Sequence, residues 1–526
     1  MPEEDPILND STVRSFAELV GLSPDSGLFD PYAELVQTYA RACESLFIVS
    51  LENSDAPALL YHPPKPSDDG PIAFEFDSDE AVTLPDERSD IAFLSLSDLA
   101  RLIRSRSISP VELTEIYLER LDGQGRELNS VITLTPDVAR RQAKLAEEEI
   151  LKRDWRGPLH GIPWGAKDLL ATKGVATTWG SSAHKDWIPD HDAAVVERLE
   201  GAGAVLAAKL SMGSLAYGPN WFGGMTRNPW NTETGSSGSS AGPGAATAAG
   251  LVGFTIGTET HGSITSPSHT CGVTGLRPTF GRVSRYGAMA LGYSLDKIGP
   301  MCRSAEDCAA VFSAISGRDA RDAVTVDAAF SWPSNRDVGS LRIGYVEQEF
   351  DKVEGPSADV DSSALDVFRE VGAEVSPVSI PHFPAGLLIT LWVEAASAFD
   401  ELARSEDLDL LANDKSQWPK IFRAAQSIPA TAYIRAQRIR AKLLAEFEIM
   451  MQDWDAIVCP AQGDSSLTLG NLTGHPSLTF PAGFVDGMPR GMTIIGKLWD
   501  EATILALGHA FQSETDWHLK RPPQNG

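Results

Sequence analysis

Two stretches rich in Gly, Ser and Thr hold the side chains of this chain best suited to nucleophilic chemistry: TGSSGSSAGPG at 234–244 and GTETHGSITSPS at 257–268. A serine hydroxyl attacks a carbonyl when a neighbouring base takes its proton, so these loops matter only beside a base. Composition alone makes the first stretch a flexible linker, since Gly/Ser-rich segments without apolar periodicity behave as solvated coil. Its flanks point elsewhere. The apolar run AATAAGLVGF follows it and leads into the second loop. Two loops folded over one site, with glycines letting backbone N–H groups approach a ligand, is the simpler reading.

Two motif matches are discounted. GSSAG at 238–242 fits G-x-S-x-G with Ser240 as nucleophile, but that elbow needs an apolar strand before it, and TRNPWNTETGS is polar and broken by Pro. Ser294 and Lys297 fit S-x-x-K without its companion S-D-N and K-T-G motifs. As bases, His261 and His269 fall within or just beyond the second loop, though neither has an indicated Asp partner. Lysine can serve instead when burial lowers its pKa toward neutrality. Lys167 ends the strand-like GIPWGAK, whose apolar residues would desolvate it. The competing reading, a solvated surface charge, is weakened by the lack of polar neighbours before it.

The elements that must position these groups alternate in type. Residues 11–50 have helical apolar spacing, and a Pro- and acid-rich connector runs to about residue 90. LSLSDLARLIRSRSIS and PVELTEIYLERLD then read as amphipathic helices, one with a Ser cap and one opening on Pro. Beyond them, strand-like GAVLAAKL, GLVGFTIGT, LRIGYV, DAIVCP, SLTFPAG and MTIIGK alternate with helical segments, the longest being TAYIRAQRIRAKLLAEFEIMMQDW. Such alternation predicts an α/β layered domain on a mostly buried sheet. The expected division is an acidic, partly helical extension over 1–90 and a catalytic domain over 91–526.

The net charge of −28 opposes binding to phosphate backbones and anionic lipid headgroups, so neither nucleic acid nor membrane is an expected partner. Residues 1–90 hold 20 Asp and Glu against 4 Lys and Arg, so −16 of that charge lies there. Five scattered cysteines without a CxxC pair signal neither a disulfide framework nor a zinc site. The N-terminus is acidic where a secretory signal is basic, which predicts a cytoplasmic protein.

Taken together, GIPWGAKD at 161–168, GSSAGPGAATAAG at 238–250 and GTETHGSITSPSHTCGVTGLRPTFGRVSRYG at 257–287 resemble the amidase signature family of serine hydrolases. NPWN, SLDKIGP and NLTGHPSLTFPAGF look like family segments too, and the resemblance covers roughly residues 91–522. It implies an α/β/α fold on a large mixed, twisted sheet, here with an N-terminal helical extension. It also implies a triad of Lys167, Ser239 preceded by a cis peptide bond, and nucleophilic Ser263, 24 positions beyond Ser239. The oxyanion hole would come from backbone N–H groups of Thr260, His261, Gly262 and Ser263, and Ser240 would support the network by hydrogen bonding. No metal or organic cofactor is implied. The expected substrates are a small-molecule carboxamide and water, with ester or carbamate side activity, and a homodimer is the candidate assembly.

Four positions depart from the family pattern: Ser237, Ala241 and His261 replace glycines, and Thr265 replaces an arginine. His261 keeps its backbone donor, but its ring must point into the acyl pocket or away from it. Trp164, Tyr217, Trp221, Phe222 and Met225 are candidates for an apolar pocket, against the competing reading of core packing. AKLSMGSLAYG at 207–218 resembles a segment of the glutaminase component of the tRNA-dependent amidotransferase, with Gly213 and Ser214 where that component has an acidic pair. The connection from Pro460 to Asn471 is also short by comparison. Both favour a stand-alone amide hydrolase over that glutaminase subunit; against the other alternative, a non-catalytic amidase-like binding protein, stand the intact Lys167, Ser239 and Ser263.

Overall fold

The apolar segments pair into a single large sheet, and its order decides which loops meet. In the computed structural model, residues 8–19, 29, 32–37, 40, 53–54, 61–77, 80–461 and 463–523 are described. The chain forms two compact units, Met1–Asp55 and Ala56–Gly526. In the first, the helix Asp10–Leu19 buries Val13 and Ala17 in a cluster with Phe29. Residues 32–37 are helical, and the remainder of the segment expected to be helical lies outside the described residues.

Among the described residues the large sheet of the second unit has eleven strands: β1 (Val131–Leu134), β2 (Pro163–Lys167), β3 (Val205–Leu210), β4 (Phe254–Glu259), β5 (Thr274–Arg277), β6 (Lys297–Cys302), β7 (Arg342–Val346), β8 (Glu374–Val378), β9 (Ala456–Pro460), β10 (Ser477–Val485) and β11 (Met488–Gly496). They are ordered β8-β7-β9-β11-β10-β5-β6-β4-β2-β3-β1. β2 runs parallel to both β3 and β4, β7 runs parallel to β8 and β9, and the other pairs are antiparallel. Every residue of β2, β3, β4, β6 and β9 is buried. Strands covered on both faces need apolar residues throughout, which is why these segments lack strict alternation.

The parallel pairing sets β2 and β4 side by side, so Lys167 and Glu259 end neighbouring strands at the same edge of the sheet. Antiparallel β6 brings Lys297 directly opposite Glu259. Three ionisable side chains are thus gathered where the second Gly/Ser/Thr loop leaves the sheet.

The division between units falls after residue 55, not at residue 90. Residues 61–90 belong to the larger unit: Ile72–Phe74 pairs in parallel with Phe330–Trp332, and the Tyr61 hydroxyl donates to the Thr473 carbonyl at 2.8 Å. The Trp499 indole N–H donates to the Pro64 carbonyl at 2.7 Å. The predicted long helix is present as Ala430–Met450. A helix at Asp464–Thr473 was not expected, because GDSSLTLGNLTG is rich in weak helix formers. Tertiary contacts hold it: the Glu349 carboxylate accepts from Ser466 N–H at 2.8 Å and from its hydroxyl at 2.6 Å. Among the described residues no helix is long and apolar enough to cross a membrane.

Candidate active site

Lys167 is fully buried. Its Nζ lies 2.8 Å from Ser239 Oγ, 3.0 Å from Ser240 Oγ, 2.8 Å from Thr258 Oγ1 and 3.3 Å from the Thr258 carbonyl. Hydroxyls can donate or accept, so this shell fits a neutral amine as well as an ammonium. Burial lowers the Lys167 pKa to about 7, against the opposing pull of the Asp296 and Glu259 carboxylates. At the standard conversion that shift disfavours the buried ammonium by about 5 kcal/mol.

The Ser239 loop is held by close backbone packing. The Gly238–Ser239 peptide is cis, and the Ser239 carbonyl accepts from Gly213 N–H at 3.3 Å. A Cβ on Gly213 would stand 1.9 Å from the Gly218 carbonyl oxygen and 2.2 Å from that of Tyr217. The following residues, Leu215 and Ala216, take left-handed φ values of 48° and 64°. This turn needs Gly213, which explains why no acidic residue stands there. Gly213→Ala is expected to lower stability by about 1–3 kcal/mol through overpacking, read as a lower denaturation midpoint, and to displace Ser239 enough to reduce turnover. A wild-type midpoint would mean that the turn yields.

Ser240 joins the two loops. Its N–H donates to the Ser263 carbonyl at 3.2 Å, its hydroxyl donates to the Thr258 carbonyl at 3.1 Å, and its Oγ accepts from Thr258 N–H at 3.1 Å. Ser263, nearly buried, lies just before the helix Thr265–Cys271. The turn that carries it is anchored by Glu259. One carboxylate oxygen accepts from Ile264 and Thr265 N–H, both at 2.9 Å; the other accepts from Arg277 at 2.7 Å and Asn471 at 2.8 Å. Burial alone would raise the Glu259 pKa, but the Arg277 and Lys297 charges and these hydrogen bonds more than offset it and hold the carboxyl far below the usual range. Thr260 donates its hydroxyl to Asp296 at 2.6 Å, and Gly262 adopts φ +85°.

A family model described as Amidase matches residues 112–505. The chain belongs to the amidase family. Curated relatives include a glutamyl-tRNA(Gln) amidotransferase component from Methylococcus capsulatus, 35% identical, covering 81% of this chain and 98% of that protein. Among solved structures, the native peptide amidase from Stenotrophomonas maltophilia is 31% identical with a TM-score of 0.71, over 82% of this chain and 98% of that one. A bacterial aryl acylamidase of the amidase signature family is 25% identical with a TM-score of 0.74, over 83% and 100%.

Against the amidase pattern, the four departures now have places. Ser237 adopts φ +61°, a conformation that favours the family's glycine. Ala241 is buried at the start of the helix Ala241–Ala248. The His261 ring is fastened to Thr468 on the helix Asp464–Thr473, Nε2 to Oγ1 at 2.9 Å, and burial lowers its pKa. Thr265 offers its N–H to Glu259, whose cation comes instead from Arg277 on β5.

Other expected residues are drawn elsewhere. His269 Nδ1 accepts from Gly491 N–H at 2.9 Å, and burial with nearby Arg490 lowers its pKa to about 4, so it fastens a helix to β11. Ser294 and Lys297 part company: the Ser294 hydroxyl donates to Glu394, and Lys297 donates to Asn471 at 2.8 Å. Trp164 is core, stacked on Phe254 with centroids 6.0 Å apart, and Trp221 is buried against Phe222. Tyr217 is half-exposed beside Trp418. Thr258, Glu259, Asp296 and Asn471 escaped the sequence reading. Glu259 carried a usable signal, a charged residue ending an apolar strand, the same signal that singled out Lys167.

Proposed function

We propose that this amidase hydrolyses a linear carboxamide through a seryl acyl-enzyme, with Ser263 as nucleophile, Ser239 as proton relay and Lys167 as base. The observation that carries the reading is the buried Lys167 amine 2.8 Å from Ser239 Oγ, with its pKa lowered to about 7. Neutral Lys167 accepts the Ser239 proton as Ser239 takes one from Ser263, whose oxygen bonds to the substrate carbonyl carbon. The oxyanion is received by backbone N–H groups of Thr260, His261, Gly262 and Ser263, on a turn held by Glu259. Collapse breaks the C–N bond, and the relay returns the proton to the departing amine. Water then attacks the ester by the same relay, releasing the carboxylic acid and restoring Ser263. Ser240, hydrogen-bonded to Lys167 and Thr258, keeps the amine aimed.

A second reading is the glutaminase component of a tRNA-dependent amidotransferase, favoured by relatives of that name that this chain matches over 98% of their length. Gly213 and Ser214, where that component has acidic residues, favour the stand-alone enzyme, since Gly213 is required by its turn. The test is release of ammonia or amine from aliphatic, aryl and peptide amides by the purified chain alone. Turnover of simple amides supports the hydrolase. Ammonia released only from glutamine, and only with partner proteins, would move the assignment to the second reading.

A further inference from the structure

The relay works only while Ser239 Oγ stays 2.8 Å from Lys167 Nζ, and these residues lie 72 positions apart in the chain. A second path, which avoids that contact, also ties them together. On the Lys167 side, the Asp168 carboxylate accepts from Thr178 N–H at 2.8 Å, and its carbonyl accepts from Trp179 N–H at 3.1 Å. Ser181 N–H donates to the Thr178 carbonyl at 3.0 Å, which folds this segment back into a tight turn. On the Ser239 side, Gly213 N–H donates to the Ser239 carbonyl at 3.3 Å. A Cβ on Gly238 would stand 2.0 Å from the Gly218 carbonyl oxygen, so the 213–218 turn lies flush against the catalytic loop.

Asp414 closes the path. It lies between the 3-10 helix Glu406–Ala412 and the helix Trp418–Ala425, and it is buried. Its Oδ1 accepts from the Ser182 hydroxyl, and its Oδ2 accepts from Ser182 N–H at 3.0 Å and from the Ser214 hydroxyl at 2.9 Å. Among the described residues no cation lies within ion-pair distance of it. Burying a charge is unfavourable unless hydrogen bonds satisfy it, and here three donors from two turns converge on one side chain. The turn after Ser214 needs such outside support. Leu215 and Ala216 hold left-handed φ values of 48° and 64°, which non-glycine residues keep only where the surroundings impose them.

We propose that Asp414 is a positioning residue for the proton relay. By clamping the Ser182 and Ser214 turns together, it holds Gly213 N–H on the Ser239 carbonyl and so keeps the Ser239 hydroxyl on Lys167. This role rests on the relay of Lys167, Ser239 and Ser263 described above, and one experiment separates the two.

The full chain is treated with a fluorophosphonate. The Ser263 oxygen bonds to phosphorus as fluoride leaves, and the relay takes the hydroxyl proton. Rate and final stoichiometry are followed by mass spectrometry, well below each variant's denaturation midpoint. Asp414→Ala is expected to reach full stoichiometry about 10- to 100-fold more slowly, the scale of a small misplacement transmitted to a reacting group. Ser214→Ala, which cuts only the arm to the Gly213 turn, should slow labelling in the same direction. Asp414→Asn can set its carbonyl in the Oδ2 place and its amide N–H against Ser182 Oγ, so it should label nearly as fast as wild type. Reduced stoichiometry at the wild-type rate would make Asp414 a stability residue only. Wild-type rates in both Asp414→Ala and Ser214→Ala would mean that the relay is held without it. Either result overturns the proposal and leaves the relay standing. A wild-type chain that does not label removes the relay itself, and with it the role of Asp414. If Asp414→Ala fails to fold, slow Ser214→Ala beside fast Asp414→Asn supports the proposal, and equal rates overturn it.

Discussion

Lys167→Ala is expected to lower kcat for amide hydrolysis by roughly 10³- to 10⁶-fold, and Ser263→Ala by a similar factor. The double variant should be little worse than either, since groups acting as one relay are not additive. Lys167→Arg should fail as well, because a guanidinium stays protonated and cannot act as the base. The wild-type pH profile gives an independent check. A lysine is a base only when neutral, and burial sets its pKa at about 7. Log kcat/KM should therefore rise with pH up to about 7 and level off above it. A profile flat across that range, or activity surviving in Ser263→Ala, would sink the assignment.

Glu259→Ala is expected to destabilise the fold by about 3–5 kcal/mol, the usual penalty for removing one partner of a buried charge pair. The loss strands Arg277 and Lys297 in the core and leaves Ile264 and Thr265 N–H without their acceptor. Urea midpoints with an unchanged m-value would measure it. Glu259→Gln keeps the shape but not the charge, and should fall between the two. The pH dependence follows from sign: the folded carboxyl is held far below its unfolded value of 4.5. Its contribution is thus complete above about pH 4.5 and is lost progressively as pH falls from there through the folded carboxyl's far lower pKa. A midpoint in Glu259→Ala equal to wild type would mean that the turn is held by other contacts.

Lys167, Ser239, Ser240 and Ser263 were legible because each lies in a short text whose residue types already speak of chemistry. The structure brings Lys167, Ser239 and Ser240 within hydrogen-bonding distance and joins Ser240 to Ser263 through the backbone. Asp296, Arg277 and Asn471 were not legible. Their roles depend on which strands lie side by side, and alternating strand and helix patterns carry no strand order. The 1–90 boundary missed for a related reason: a change in acidity records what faces solvent, whereas Tyr61 and Ile72–Phe74 belong to the larger unit through contacts with residues far along the chain. Orientation of the His261 ring was equally out of reach, since Thr468 lies 207 residues away.

The last strands of this sheet to be synthesised, β10 and β11, stand in its middle, bridging β9 on one side and β5 on the other. At about 5–20 residues per second, synthesis takes roughly 15–65 s to run from Lys167 to Gly496. Within that interval β5, and later β9, are complete before β10 and β11 exist, so the nascent sheet carries bare inner edges, the kind of edge that recruits strands from other molecules. Asn471 and His475, which complete the shell around Glu259 and Arg277, emerge in the same final segment. Closure of the sheet and anchoring of the Ser263 turn are thus one late event, and the time before it is when the newborn chain most needs shelter from aggregation.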